Sequence, residues 1–257
     1  MLVRSLFSII CLCVSSFSLA ETIAKEYPVK DFSEFVVSGE TQLEITQTGE
    51  EYLKIEADPE IMQYVKVDQT GNRVSVWVKK NGNFFSWFDN HDSMRIKVIL
   101  QVKNLEYLEL SGASNADVKD LKTKKLELSA SGAANSRFTN INADYLDVGL
   151  SGAANLQLGT VNSLQQNFGL SGASNIEVKS ASSTDKLVLA ASGASNVRAK
   201  KLIAKQAAVE ASGASHIDIS VTEGLNAEAS GASGITYYGN PKARTDASGA
   251  SHITANN

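Results

Sequence analysis

Three histidines, at 91, 216 and 252, and two cysteines confined to positions 11 and 13 leave few side chains able to act as nucleophile, base or soft metal ligand. His216 and His252 stand at equivalent places two repeats apart. At about 4.8 Å per stacked strand they are expected roughly 9–10 Å from each other, too far to share a metal at about 2 Å per bond. His91 has no evident partner. Glu210, Glu228 and Asp246 form a row, each two residues before the same repeated triplet, and stacking would set their carboxylates about 5 Å apart on the outer face. Either Lys205, Lys242 and Arg244 screen that row, or it is an oxygen-rich place for a divalent cation such as Ca²⁺. Asn83-Phe84-Phe85-Ser86-Trp87-Phe88-Asp89 gathers four aromatics between turn signals at Asn81-Gly82 and Asn90. Phe84, Phe85, Trp87 and Phe88 can stack on sugar rings or dock a partner, or they can fold over an adjoining core as a lid.

A carbohydrate-cleaving enzyme needs paired acids at a set separation, or carboxylates with a base. The corresponding outward column here reads Asp117, Arg137, Gln157, Glu177, Arg198, Asp218, Thr236, Thr254. Opposite signs in neighbouring repeats read as cross-strand charge pairs. No catalytic residue and no cofactor is assigned, and the expectation is a protein that is not an enzyme.

The element that places all these residues is Ser-Gly-Ala. It begins at Ser111, Ser131, Ser151, Ser171, Ser192, Ser212, Ser230 and Ser248, at spacings of 20, 20, 20, 21, 20, 18 and 18 residues. A fixed period of this size means stacked repeats. Flanks such as Leu108-Glu109-Leu110 and Ile176-Glu177-Val178 alternate with period two, which means strand. About 20 residues is too short for a parallel pair joined by a helix, so each unit reads as one coil of a parallel β-helix. Gly112, Gly132, Gly152, Gly172, Gly193, Gly213, Gly231 and Gly249 then form a column at a bend that needs positive φ or close backbone approach. Asn115, Asn135, Asn155, Asn175 and Asn196 form a second column suited to a side-chain ladder. The apolar positions shrink from Leu and Phe to Ala toward the C-terminus, so a narrowing solenoid is expected, with the last coil an open edge available for self-association.

Residues 1–20 read as a secretory signal: Arg4, an apolar run Leu6–Val14 too short to span a bilayer, then Ser18-Leu19-Ala20. Cleavage there removes both cysteines and leaves an exported chain, periplasmic or at the cell surface. The formal charge of −4 suggests neither nucleic acid nor an anionic membrane as partner, and no later apolar run is long enough to insert the mature chain in a bilayer. Residues 21–105 hold strand-like runs separated by Gly49, Asp58-Pro59, Gly71-Asn72 and Asn81-Gly82. Within them Val37–Ile45 aligns with Leu110–Val118, Gln42 falling on Asn115, so this region reads as a degenerate first coil within an N-terminal cap, and 106–257 as the repetitive helix.

On Phe35-Val36-Val37-Ser38-Gly39, Leu43-Glu44-Ile45-Thr46-Gln47, the Val74–Val78 strand and Leu105–Leu110 leading into Ser111-Gly112-Ala113-Ser114-Asn115, the chain resembles the auto-transporter adhesin head GIN domain family of bacterial envelope proteins. The resemblance covers about residues 30 to 257. It implies a secreted β-helical protein and carries no catalytic residues. The expectation is therefore an all-β parallel β-helix of about eight coils, right-handed by analogy. It would present a repetitive surface to an envelope or glycan ligand; a carbohydrate-active enzyme and a purely structural envelope component are the alternatives.

Overall fold

The computed structural model describes residues 22–79 and 96–256. In chain order the strands are β1 (Ile23–Tyr27), β2 (Glu34–Gly39), β3 (Gln42–Gln47), β4 (Tyr52–Ala57), β5 (Val65–Thr70), β6 (Arg73–Val78), β7 (Ile96–Val102), β8 (Tyr107–Gly112) and β9 (Asn115–Ala130). They continue as β10 (Asn135–Leu150), β11 (Asn155–Leu170), β12 (Asn175–Val178), β13 (Ser182–Ala191), β14 (Asn196–Ala211), β15 (His216–Ala229), β16 (Gly234–Tyr238), β17 (Lys242–Ala247) and β18 (His252–Ala255). From β8 onward they wind into a parallel β-solenoid of about seven turns. Eight triplets mark eight corners, and eight corners enclose one turn fewer.

The repeat fixes the register. Asn135 pairs with Asn115 and Asn155, and Leu150 with Ala130 and Leu170. In β10 the residues Ser136, Phe138, Ile141, Ala143, Leu146, Val148 and Leu150 are all buried. Alternation slips twice, at Thr139-Asn140 and Asp144-Tyr145, where two successive residues face outward. Those slips bend the strand without breaking its ladder, and with the Ser-Gly-Ala corner they give each turn three sides. Every inward side chain stacks on its counterpart one turn away, so a single apolar column system runs the length of the molecule.

Departures from 20 residues fall away from the triplet corner. In the 21-residue turn Leu158 pairs with Val178 but Asn162 with Ser183, so the added residue lies between β12 and β13. The first 18-residue turn, where β15 pairs with β14, drops three residues between Ala199 and Ile203 and regains one between Ala204 and Gln206. One inward column narrows steadily, from Leu189 to Val209 to Ala227, while its neighbour runs Leu187, Ala207, Leu225. All of Lys242–Ala247 is exposed, and β17 pairs only with β15 among the described residues.

At the other end β2 and β3 lie on β8 and β9, with Gly39 on Gly112 and Gln42 on Asn115. On them sit β6 and β7, both parallel. Antiparallel β5, β4 and β1 complete the cap. Two elements here have no strand-like signal in sequence: β1, and a single helical turn α1 (Pro59–Met62) started by proline at its N-terminus and holding Ile61 and Met62 in the core. The buried carboxylate of Glu51 accepts the N–H groups of Asp31 (2.9 Å) and Phe32 (3.1 Å) and pairs with Lys103 at 2.9 Å. It holds down the segment that leads into β2, including Asp31 at φ 53°.

Candidate functional site

The triplet corner repeats the same groups at every turn, and its glycine is what allows this. Gly152 has φ +74°, and a Cβ there would sit 2.8 Å from the carbonyl oxygen of Gly132. The other triplet glycines share both properties, with φ between 72° and 82°. Close approach lets the ladder run through the bend: the N–H of Ala153 donates to Gly132 O at 2.8 Å, and that of Asn155 to Ala134 O at 2.8 Å. The fourth position is buried in every corner but the last, and where it is Ser the hydroxyl donates to the carbonyl three residues back, as Ser174 does to Ser171 at 2.7 Å and Ser215 to Ser212 at 2.6 Å. That bond closes the corner internally, and burial leaves room there only for Ser or Ala.

On one flank the amides form a ladder. Nδ2 of Asn135 donates to Oδ1 of Asn115 (3.1 Å), Asn155 to Asn135 (3.0 Å) and Asn175 to Asn155 (2.8 Å). Two residues on, Arg137 lies 3.6 Å from Asp117 and its Nε donates to Gln157 at 3.4 Å. Glu177 departs from the expected cross-strand pairing and binds Lys179, just past the end of its own strand, at 2.6 Å.

On the other flank Ser129, Gly149, Gly169 and Ala190 pair in successive turns. With Ser151, Ser171 and Ser192 they floor a shallow groove parallel to the axis. Glu109 pairs with Ser129 at one end, and Ala190 with Glu210 at the other. Five steps of about 4.8 Å make this trough about 24 Å long, with a carboxylate at each end. Its small residues stand in the same column as the acid row, where the lack of bulk at 149 and 169 was a signal open to a sequence reading.

Glu210, Glu228 and Asp246 do fall in register in three successive turns, all exposed. Lys205 does not screen them: its ammonium pairs with Asp185 at 2.7 Å, which raises its pKa. Among the described residues no three His, Cys, Asp or Glu side chains are placed to hold a metal together. The expected separation of His216 and His252 is corrected. Gly234 lies between them, and the position its missing Cβ would take is 3.1 Å from His216 Nδ1 and 2.9 Å from His252 Nε2. Both rings lean into the space that glycine leaves. Phe84, Phe85, Trp87, Phe88 and His91 lie outside the described residues, as does the 1–20 segment. The chain leaves the described residues after Lys79 and re-enters at Ile96, beside the Gly39 corner, where Val78 Cγ2 is 3.9 Å from the Gly39 Cβ position.

The geometry is that of a long scaffold with a repeated edge, and comparisons with known proteins agree on the fold. The family model described as "Putative auto-transporter adhesin, head GIN domain" matches residues 31–241. The chain belongs to that family. Its fold is shared with a "putative adhesin" from Parabacteroides merdae at TM-score 0.84 and 18% identity, over 93% of this chain and 98% of that one. A "putative adhesin" from Parabacteroides distasonis gives 0.79 at 17% identity, over 92% and 96%. A "Putative lipid binding protein" from the same species gives 0.77 at 20% identity, over 93% and 98%. No curated protein matches the chain. Among the described residues no helix is long and apolar enough to cross a membrane.

Proposed function

We propose that this head GIN domain protein is an exported, non-enzymatic adhesin-like scaffold, and that its Ser-Gly-Ala edge presents repeated sites to a glycan or protein partner in the cell envelope. The observation that carries the reading is the corner itself. Asn amides, Ser hydroxyls and the trough recur turn after turn, and the backbone ladder holds each in place without a cross-link. Such a surface is rigid before it meets a ligand, so little ordering entropy opposes binding. A ligand with its own repeat can engage several turns at once, which multiplies weak contacts. The aromatic stretch 83–89, outside the described residues, is assigned a docking role in the same reading.

The test is a glycan array together with attachment to envelope fragments, using the wild type and two variants. Gly149→Tyr with Gly169→Tyr fills the trough. A Cβ at Gly149 meets nothing within 4 Å and one at Gly169 only Val148 O at 3.8 Å, so the fold should stand. Replacing Phe84, Phe85 and Trp87 by Ser removes the aromatics. A severalfold fall in attachment in either variant with an unchanged melting curve supports the reading. Attachment unaffected by both, or turnover of a polysaccharide by the wild type, overturns it.

A second reading rests on one observation. Ile203 and Tyr238 line an apolar groove rimmed by Lys200 and Lys201, and the Lys200 ammonium lies 4.0 Å from the Tyr238 ring centre. That combination suits an acyl chain with an anionic head, and sedimentation with anionic vesicles, compared between wild type and Ile203→Asp, decides it.

A further inference from the structure

We propose that His216 and His252 form a two-histidine site for a first-row divalent transition-metal ion across the gap at Gly234. In the amide column the order of residues is Asn196, His216, Gly234, His252, paired rung to rung. A residue with a side chain at 234 would separate the two rings. Glycine removes that wall, and two ring nitrogens, Nδ1 of His216 and Nε2 of His252, each lie about 3 Å from the same empty point. They are therefore within about 6 Å of one another, against the roughly 4 Å spanned by two metal–imidazole bonds of about 2.0–2.1 Å. A small rotation of the exposed His252 ring closes the difference.

A third residue backs the pair. Asp218 Oδ1 lies 3.3 Å from Nε2 of His216. The carboxylate thus stands behind the ring, on the side away from Nδ1, which faces the gap. This carboxylate–histidine arrangement is the one that orients imidazole ligands at metal centres generally. Two protein nitrogens leave the remaining positions to water, so the site suits ions that bind imidazole strongly at low ligand count. Cu²⁺ leads that series, with Ni²⁺ and Zn²⁺ behind it. Bound metal would tie the turn of His216 to that of His252 across the intervening one, in the narrow end of the solenoid where β17 and β18 are covered on one side only among the described residues.

The experiment is isothermal titration of the full, untagged protein with Cu²⁺ and with Zn²⁺, with electron paramagnetic resonance on the copper form. Expected are one equivalent of Cu²⁺ with at least tenfold tighter binding than in His216→Ala or His252→Ala, nitrogen couplings from two imidazoles, and an upward shift of the melting temperature. Gly234→Ala fills the gap while leaving both histidines in place, and should lose the same tenfold. His91→Ala should change nothing. Copper binding that survives in the His216→Ala/His252→Ala double variant, or that Gly234→Ala leaves untouched, overturns the proposal. So does the absence of stoichiometric binding in the wild type. Circular dichroism of each variant separates loss of the site from loss of fold.

Discussion

Gly152 and Gly149 stand three residues apart in the same turn, and substituting each in turn isolates what the corner requires. Gly152→Val meets two costs. Its φ of +74° is the left-handed region, which a residue with a Cβ occupies at a cost of about 1–2 kcal/mol. The new Cβ also falls 2.8 Å from Gly132 O, and the neighbour is backbone held in a ladder on both sides, so it cannot swing away. Forcing such a contact costs about 1–3 kcal/mol. Together the loss should be about 2–5 kcal/mol. Gly149→Ala meets neither cost, since nothing lies within 4 Å of its Cβ and its φ is not in the left-handed region. The alanine restricts the unfolded chain and should leave stability unchanged or raise it by up to about 1 kcal/mol. Urea melts followed by circular dichroism give the comparison, with the slope checked because stacked repeats can unfold in parts. Equal effects at the two positions, or a loss below about 1 kcal/mol for Gly152→Val, would refute the corner argument.

Gln166 is fully buried with neither amide atom hydrogen-bonded, in a column otherwise held by Leu126, Leu146 and Leu187. Gln166→Leu should therefore stabilise by about 1–3 kcal/mol in the same melts, and a loss of stability would point to a buried partner for the amide. Burial pushes the Glu51 carboxyl upward, but Lys103 and the N–H groups of Asp31 and Phe32 outweigh it and hold the pKa below the ordinary value of 4.5. A depressed carboxylate stabilises the fold above that value and stops doing so as pH falls through its own pKa. The melting-temperature gap between wild type and Glu51→Gln should thus be present at pH 7 and close below pH 4; a gap that widens in acid contradicts this. For the stretch 83–89, the triple Phe84/Phe85/Trp87→Ser variant should keep its melting curve, and a collapse in stability would make the segment a lid.

The solenoid was legible because its period is written in residue types that have one backbone job. Ser-Gly-Ala at 18 to 21 residues and two-residue alternation predict stacking, turn length and register, and the alignment of Val37–Ile45 with Leu110–Val118 recurs as the pairing of β2 and β3 with β8 and β9. What escaped depended on side chains acting across turns. β1 is a strand because β4 offers it an edge, not because Ile23–Tyr27 alternates strongly. The histidine separation was misjudged because stacking distance measures backbones, whereas Gly234 lets the rings converge. Glu177 chose Lys179, two residues further along the chain, over Arg198 in the next turn. The trough is made of absent bulk at 149 and 169, a signal weaker than any motif.

Binding that is spread along the corner, as proposed, and not confined to one pocket should tolerate the loss of a turn. Removing residues 136–155 excises one complete turn and joins Asn135 to Leu156, which keeps every column in register because Asn135 pairs with Asn155. Surface plasmon resonance of this shortened protein on the polysaccharide or envelope fraction that the wild type binds is the direct test. A distributed surface predicts a folded protein whose affinity falls severalfold yet persists. Unchanged affinity, or complete loss of binding in a protein that still folds, would show a single localised site and contradict the account.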